Sequence, residues 1–185
     1  MYDRIAADCI TAVTDDGVDA ALDPAKSKLF IIVTGNTFVQ EASNLEITAG
    51  EWHYPNRMAQ KIKEVFPNAG IEFLPEFPTG ADNERVLVAS SKYDETICMT
   101  FCKTGAYWGT DDLTRRVESV INALTLSGRL GAVVHFGNPF ALQPLLHIPR
   151  KIFGYNMPDS QLYAIDVLAG TLPANGTLPY HISFQ

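Results

Sequence analysis

The stretch LGAVVHFGNPF, residues 130–140, decides the fold class of this chain. Apart from His135, its first seven residues are apolar or small, which predicts a strand covered on both faces, as in a parallel sheet. Gly137 permits a sharp exit from such a strand, and Pro139 ends it because proline has no amide hydrogen to donate. We therefore predict a buried strand over residues 131–136, followed by a tight turn.

Strand and helix patterns alternate along the rest of the chain. Strands are predicted at residues 30–33, 71–74, 96–102 and 151–155, helices at 56–66, 84–91, 111–127 and 158–169, and a short helical turn at 141–145. This rhythm favours right-handed crossovers and a mainly parallel sheet of five or six strands between two helical layers. The predicted fold is a three-layer α/β/α sandwich, flavodoxin-like in outline.

The best-marked helix is the one over residues 111–127. Thr110 is available as its N-cap, and Asp111 and Asp112 suit the positive end of the helix dipole. Gly128 stands where a left-handed residue ends many helices. Its apolar positions recur at helical spacing and comprise Leu113, Val117, Val120, Ile121 and Leu124.

Composition limits the classes of function. The chain has 185 residues, a formal net charge of −7 and no clustered Lys and Arg, so we expect no nucleic-acid partner. No apolar run approaches the roughly 20 residues of a membrane-spanning helix, and no signal-peptide pattern opens the chain, so we expect no membrane contact and leave the compartment open. Cys98 and Cys102 are predicted to be buried free thiols, and no zinc-binding spacing is present.

Three segments carry a resemblance to a known family. They are the turn Gly137-Asn138-Pro139, the segment from Tyr155 to Gln161, and the late run from Gly176 to Pro179. In this order they resemble the C-terminal α/β domain of glycoside hydrolase family 3. Residues 1–28 are similar to the helix and strap that join a preceding barrel domain to this sandwich, which would then span residues 29–185.

The resemblance implies a function and a partner. The family's nucleophile lies in the barrel domain, so an N-terminal barrel of the same parent protein is the expected partner and a carbohydrate the expected substrate. The motifs are more similar to the β-N-acetylhexosaminidase branch than to the β-glucosidases, whose acid/base is a Glu of this domain. In that branch the acid/base is a His of the barrel. We therefore predict no catalytic residue in this chain and an accessory role in shaping the cleft for terminal β-linked sugars.

Candidate sugar contacts come from two loop-like stretches. Glu51, Trp52 and His53 form one set, and Tyr107 and Trp108 the other, because aromatic faces pack against the C–H groups of pyranose rings. Ligands of such sheets bind at the carboxyl ends of strands. The loop acids Glu41, Glu46, Glu51 and Glu76 could reach a sugar, but their spacing singles out none. His135 is expected in the core, and His147 and His181 at the surface.

Two other classes of function remain open at this point. Thr34-Gly35-Asn36-Thr37 follows the first strand and partly resembles the phosphate loop of flavodoxins, which would make the chain an FMN-binding module. Alternatively, the chain is a non-catalytic interaction domain whose apolar surface binds a partner. On the leading interpretation, the apolar surface that meets the barrel would include Ile5, Ile10, Val13, Trp52, Tyr54, Tyr107 and Trp108. On the leading interpretation we expect neither a cofactor nor a metal.

Overall fold

The computed structural model describes residues 2–34, 54–102, 113–155 and 159–178. Within these ranges six strands form one sheet. They are β1 (Thr11–Thr14), β2 (Lys28–Thr34), β3 (Gly70–Pro75), β4 (Glu95–Phe101), β5 (Leu130–Phe136) and β6 (Arg150–Phe153). Their spatial order is β1-β6-β5-β4-β2-β3. β1 runs antiparallel to β6, and every other neighbouring pair is parallel.

Five α-helices of the described residues complete the fold. They are α1 (Tyr2–Asp8), α2 (Pro55–Val65), α3 (Gly80–Ser90), α4 (Arg115–Leu126) and α5 (Ser160–Leu168), and a 3-10 helix covers Pro139–Leu142. Helix α5 packs against α1 and α2, and α3 packs against α4, which places the helices in two groups about the sheet. The predicted α/β sandwich with a mainly parallel sheet is confirmed.

Strand β5 lies inside the sheet, between β4 and β6. All seven of its residues are buried, as are all seven of β4. Successive side chains of a strand point to opposite faces, so full burial requires cover on both sides. The prediction from residues 131–136 is therefore confirmed.

Helix α2 begins where the sequence indicates. Pro55 occupies its first turn, where the missing amide hydrogen carries no penalty, and Met58 and Ile62 are buried. Phe66 follows the last turn, and its ring lies 5.4 Å from that of Phe30 in β2. This contact places the C-terminal end of α2 against the sheet.

Helix α3 starts four residues before its predicted start at Glu84. Thr79 and Asp82 form a capping box in which the Thr79 hydroxyl accepts from the Asp82 amide and the Asp82 carboxylate accepts from the Thr79 amide. The two hydrogen bonds satisfy amides that would otherwise be unpaired at the helix start. This pattern was present in the sequence and explains the earlier start.

Helix α4 begins at Arg115, so the predicted start at Asp111 with Thr110 as N-cap is wrong. Leu113 and Thr114 are not helical, and residues 110–112 lie outside the described ranges. The Thr114 hydroxyl donates to the Glu76 carbonyl at 2.6 Å, which ties the entry of the helix to the loop after β3. At the other end, Gly128 has a φ of +67°, as the sequence predicted.

Part of the segment before Lys28, namely β1, belongs to the sheet. β1 extends the sheet beyond β6, and Ile10 is completely buried, so the expectation that Ile10 faces a partner is wrong. The reason is that β1 pairs with a strand more than 130 residues away, which sequence spacing does not reveal. Ile5 is exposed, as expected. The division at residue 28 stays a prediction.

No helix of the described residues has the length and apolarity needed to cross a membrane.

Candidate functional site

The candidate site is the carboxyl edge of the sheet, defined here by the residues that directly follow the parallel strands β2 to β6. Hydrogen bonds between neighbouring strand ends hold this edge together. The Glu76 amide donates to the Thr34 carbonyl at 2.8 Å, and the Cys102 amide donates to the Phe136 carbonyl at 3.0 Å. Open α/β sheets bind their ligands at this edge, so its backbone geometry decides what can approach.

The turn after β5 has an unusual backbone. Gly137 has a φ of +132°, a conformation that residues with a side chain rarely adopt. Asn138 then begins the 3-10 helix, and its side-chain oxygen accepts from the Phe140 amide at 3.2 Å. Pro139 occupies the first turn of that helix and is buried. The chain therefore turns sharply at Gly137 directly after β5, as the sequence predicts.

The exit from β6 is equally constrained. A Cβ atom at Gly154 would lie 2.7 Å from the ring of Phe136, so the close approach of these two strands requires glycine. Tyr155 follows with a positive φ of 51°, and its hydroxyl shares a 3.3 Å hydrogen bond with the Thr11 hydroxyl. The Ser160 hydroxyl donates to the Gly154 carbonyl. Together these contacts join β6, β1 and α5 at one end of the sheet.

Gln161 connects two helix starts at the same edge. Its side chain is only 1% exposed, and its Oε1 accepts from the Tyr54 amide at 2.9 Å. Gln161 lies in the first turn of α5, and Tyr54 is the N-cap residue of α2. The Gln161 side chain therefore bonds a backbone group of another element.

Gly176 packs against the start of β1. Its amide donates to the Ile10 carbonyl at 2.8 Å, and a Cβ atom at this position would lie 2.4 Å from both the Cys9 carbonyl and the Thr11 hydroxyl. Only glycine fits such a close approach without movement of the backbone. Pro179, the last residue of the motif, lies outside the described residues.

His135 is a core residue near this edge. Its Nδ1 and the Thr100 hydroxyl are 2.9 Å apart, and the ring is completely buried. Burial lowers the pKa of His135 to about 4, an effect that the backbone of Asn138 opposes only in part. The imidazole therefore stays neutral near pH 7. Burial raises the pKa of the Cys98 thiol to about 12, so this cysteine is an inert apolar residue, as predicted.

The five candidate sugar contacts, Glu51, Trp52, His53, Tyr107 and Trp108, lie outside the described residues, and so do Glu41, Glu46, His181 and Gly35-Asn36-Thr37. The described residues that flank the segments 35–53 and 103–112 lie at the carboxyl edge. Thr34 ends β2, Tyr54 precedes α2, and Cys102 follows β4. Of the segment proposed to bind FMN, only Thr34 lies within the described residues.

Glu76 is the candidate acid that the structure describes. Its side chain is half-buried, and its amide and carbonyl groups bond Thr34 and Thr114. Its backbone thus joins the end of β2 to the start of α4. Among the described residues no three His, Cys, Asp or Glu side chains are placed to hold a metal ion.

The opposite, amino edge of the sheet contains features that the sequence analysis missed. Lys28 and Glu95 are 4% and 6% exposed, with 3.7 Å between Nζ and Oε1. The Lys28 ammonium also donates to the Asp23 and Lys26 carbonyls at 2.5 and 2.6 Å. A cavity of about 380 Å³ opens beside it, against Phe66. In the sequence, Lys28 and Glu95 stand just before two predicted strands. Charged side chains at such positions are more often exposed to solvent than buried, so the sequence does not reveal this pair.

Comparison with known proteins identifies the fold. No family model and no curated protein matches the sequence. Among solved structures, a glycoside hydrolase family 3 β-N-acetylglucosaminidase from Paenibacillus sp. str. FPU-7 matches 96% of this chain with a TM-score of 0.73 and 18% identity. A β-glucosidase from Listeria innocua matches 92% of the chain with a TM-score of 0.64 and 11% identity. A β-glucosidase from Chaetomella raphigera matches 100% of the chain with a TM-score of 0.62 and 13% identity.

The chain spans less than a third of the length of these enzymes, namely 31%, 24% and 30%. It therefore has the fold of one part of family 3 glycoside hydrolases, which is the fold that its three motifs resemble. The structural match covers nearly the whole chain, whereas the three motifs lie after residue 136.

Proposed function

We propose that this chain is the accessory α/β domain of a family 3 glycoside hydrolase of the β-N-acetylhexosaminidase-like branch, where it shapes the cleft for terminal β-linked sugars. The observation that carries the proposal is the family 3 fold over 96% of the chain, combined with Gly137, Asn138 and Gln161 at the carboxyl edge. In this proposal the nucleophile belongs to a barrel domain of the same parent protein.

Exposed aromatic rings support a partner at the carboxyl edge. Phe77 follows β3 and is 56% exposed, and Phe140 follows β5 and is 40% exposed. Rings of this size next to the proposed cleft are suited to contact with a barrel domain, because contact removes their apolar surface from water. Hydrogen bonds hold both segments in place. The Phe140 amide, in the 3-10 helix, donates to Asn138, and the amide of Glu76, which precedes Phe77, donates to Thr34.

The proposed sugar contacts are Glu51, Trp52, His53, Tyr107 and Trp108. The position of their neighbours supports this set. Residues 35–53 connect the end of β2 to the start of α2, and residues 103–112 follow Cys102 at the end of β4, so both segments leave the described part of the chain at the carboxyl edge. Aromatic rings there would pack against a pyranose, and Glu51 or His53 would bond its hydroxyls.

The test is hydrolysis by the isolated chain. We expect no turnover of nitrophenyl β-N-acetylglucosaminide or β-glucoside, because the nucleophile lies in the barrel. Glu76→Gln, Glu51→Gln, Glu46→Gln and Glu41→Gln serve as controls for contamination. Turnover that persists through purification and falls in one of these variants would contradict the proposal. Purification as a yellow, flavin-containing protein would instead support the FMN-binding alternative at Thr34.

A further inference from the structure

We propose that Arg85 blocks the outer side of β3 and so prevents the sheet from continuing into a second copy of this chain. The outer side is the one that faces away from β2. Within the described ranges, β3 stands at one end of the strand order and pairs with β2 alone. Such a border offers amides and carbonyls to another strand, so natural proteins protect it. This inference does not depend on the proposed function, because it concerns self-association.

The hydrogen-bond register shows which backbone groups of β3 face outward. The Glu76 amide donates to the Thr34 carbonyl at 2.8 Å, directly after the last residue of β3. Along a parallel strand, successive residues direct their amide and carbonyl groups to opposite sides. Every second residue counted back from Glu76 therefore faces β2, whereas Phe73 and Ile71 direct their backbone groups outward.

Arg85 of α3 occupies the outward carbonyl of Phe73. Its Nη2 donates to this carbonyl at 2.8 Å, and its Nη1 donates to the Glu72 carboxylate. Nη2 also lies 3.8 Å from the carboxylate of Asp82, which is itself fixed by the capping box with Thr79. The planar guanidinium can satisfy a carbonyl and a carboxylate together because it has five donors in a fixed fork. It therefore takes the acceptor that the amide of an added strand would use.

A second copy of the chain is the partner that this border fits. In an antiparallel pair, two directly opposed residues exchange both of their backbone hydrogen bonds. Phe73 of one copy, opposed to Phe73 of the other, would form such a pair about a two-fold axis. This pairing needs the Phe73 carbonyl, which Arg85 already binds. Removal of Arg85 would thus open a self-complementary surface.

The apolar surroundings of the border would favour this association. The Phe73 side chain is 39% exposed, and Val88 of α3 is 55% exposed. Val88 and Arg85 line the same groove of about 430 Å³, which also includes Glu72 of β3. An added strand would remove part of this apolar surface from water, which stabilises the pair.

The experiment measures the self-association of the 185-residue chain by sedimentation equilibrium. Arg85→Met with Glu72→Gln removes one positive and one negative charge, so the formal net charge stays at −7. We expect the self-association constant to rise on the order of tenfold to a hundredfold, the factor that corresponds to one hydrogen bond to a charged group. Arg115→Met with Glu118→Gln is the matched control, because it makes the same two substitutions in α4.

Two substitutions at Phe73, each added to the Arg85→Met and Glu72→Gln variant, test whether the backbone of β3 makes the contact. Phe73→Val keeps the outward amide and should preserve most of the self-association. Phe73→Pro lacks this amide and should return the constant to the wild-type level, and a strand border tolerates proline. Equal association of the folded Val and Pro variants would overturn the proposal, and so would an equal rise in the α4 control.

Circular dichroism establishes which variants fold. An unchanged self-association constant in the folded Arg85→Met and Glu72→Gln variant would overturn the proposal. If that variant does not fold, Arg85→Ala decides, because alanine has the highest helix propensity and has no donor for the Phe73 carbonyl. A constant above that of an Arg115→Ala control, which has the same net charge, would then support the proposal. An equal constant would contradict it.

Discussion

The two edges of the sheet are built in different ways. At the amino edge, charged side chains donate hydrogen bonds to backbone carbonyls. Arg129 donates to the carbonyls of Ser90, Ser91 and Tyr93. Arg150 donates to the carbonyls of Asp19 and Gly131. At the carboxyl edge, the described contacts come mostly from backbone geometry and neutral polar groups, including Gly137, Tyr155 and Gln161.

The difference indicates where function belongs. Cations bound to carbonyls stabilise the amino edge, so few of their donors are available to a ligand in the cavity beside Lys28. Positive φ angles and close approaches occur at both edges, as at Gly128 and Gly131, but the carboxyl edge also presents the exposed aromatic rings of Phe77 and Phe140. We therefore expect substitutions at the amino edge to change stability alone, and substitutions at the carboxyl edge to change stability and sugar binding together.

The largest effect is expected at the amino edge. Lys28→Met leaves Glu95 buried without its partner cation and removes the donor that the ammonium supplies to the carbonyls of Asp23 and Lys26. Breaking a buried ion pair costs about 3–5 kcal/mol, so the melting temperature should fall by roughly 6–20 °C. Thermal unfolding followed by circular dichroism measures this.

The double variant Lys28→Met with Glu95→Gln is the matched control, because it removes both charges. It should recover part of the loss. If Lys28→Met alone melts like the wild type, the amino edge is not held by this pair and the contrast between the edges is wrong.

The next effect is a pH dependence that arises near the carboxyl edge. The pKa of His135 is about 4 in the folded chain, below its ordinary value of 6.5, so between these values the unfolded chain binds a proton that the folded chain does not. The free energy of unfolding should therefore fall as the pH drops from 6.5 to 4, by up to about 3 kcal/mol. Urea unfolding at a series of pH values measures the slope.

His135→Gln should remove this part of the pH dependence, because glutamine does not titrate. His147→Gln is the control, since His147 is exposed at the surface and its substitution should leave the His135 contribution in place. An identical profile in wild type and His135→Gln would mean that the buried imidazole does not determine acid stability.

A smaller effect is expected from Gly137→Val. A side chain at a φ of +132° causes strain of about 1–3 kcal/mol, so the melting temperature should fall by roughly 2–12 °C. Gly80→Val is the matched control, because a Cβ atom at Gly80 meets no atom within 4 Å. Equal melting curves for Gly137→Val and wild type would show that the turn after β5 is ordinary.

Much of the fold could be predicted from local patterns. Residues 131–136 are apolar or small except for His135, Pro55 and Pro67 mark the two ends of α2, and Gly128 marks the C-terminal end of α4. The central strand and these three helix ends therefore followed from chemistry within a few residues. The sequence also singled out Gly137, Asn138, Gln161 and Gly176 through their motifs, and each makes a contact or has a φ angle that accounts for it.

What could not be predicted depends on residues distant in the chain. Ile10 appeared suited to a partner surface, but β1 pairs with β6 and buries it. The start of α4 depends on the hydrogen bond from Thr114 to Glu76, 38 residues away. Likewise, Lys28 and Glu95 are 67 residues apart and become neighbours only when β2 pairs with β4. Periodicity within one segment contains no information on such contacts.

The most direct test of the account is to combine the isolated chain with the remainder of its gene product, expressed separately. We predict that the chain alone does not hydrolyse nitrophenyl β-N-acetylglucosaminide, that the remainder does, and that adding the chain lowers the KM of the remainder. Hydrolysis by the chain alone, or a KM of the remainder that does not change with saturating chain, would contradict an accessory domain that shapes the cleft.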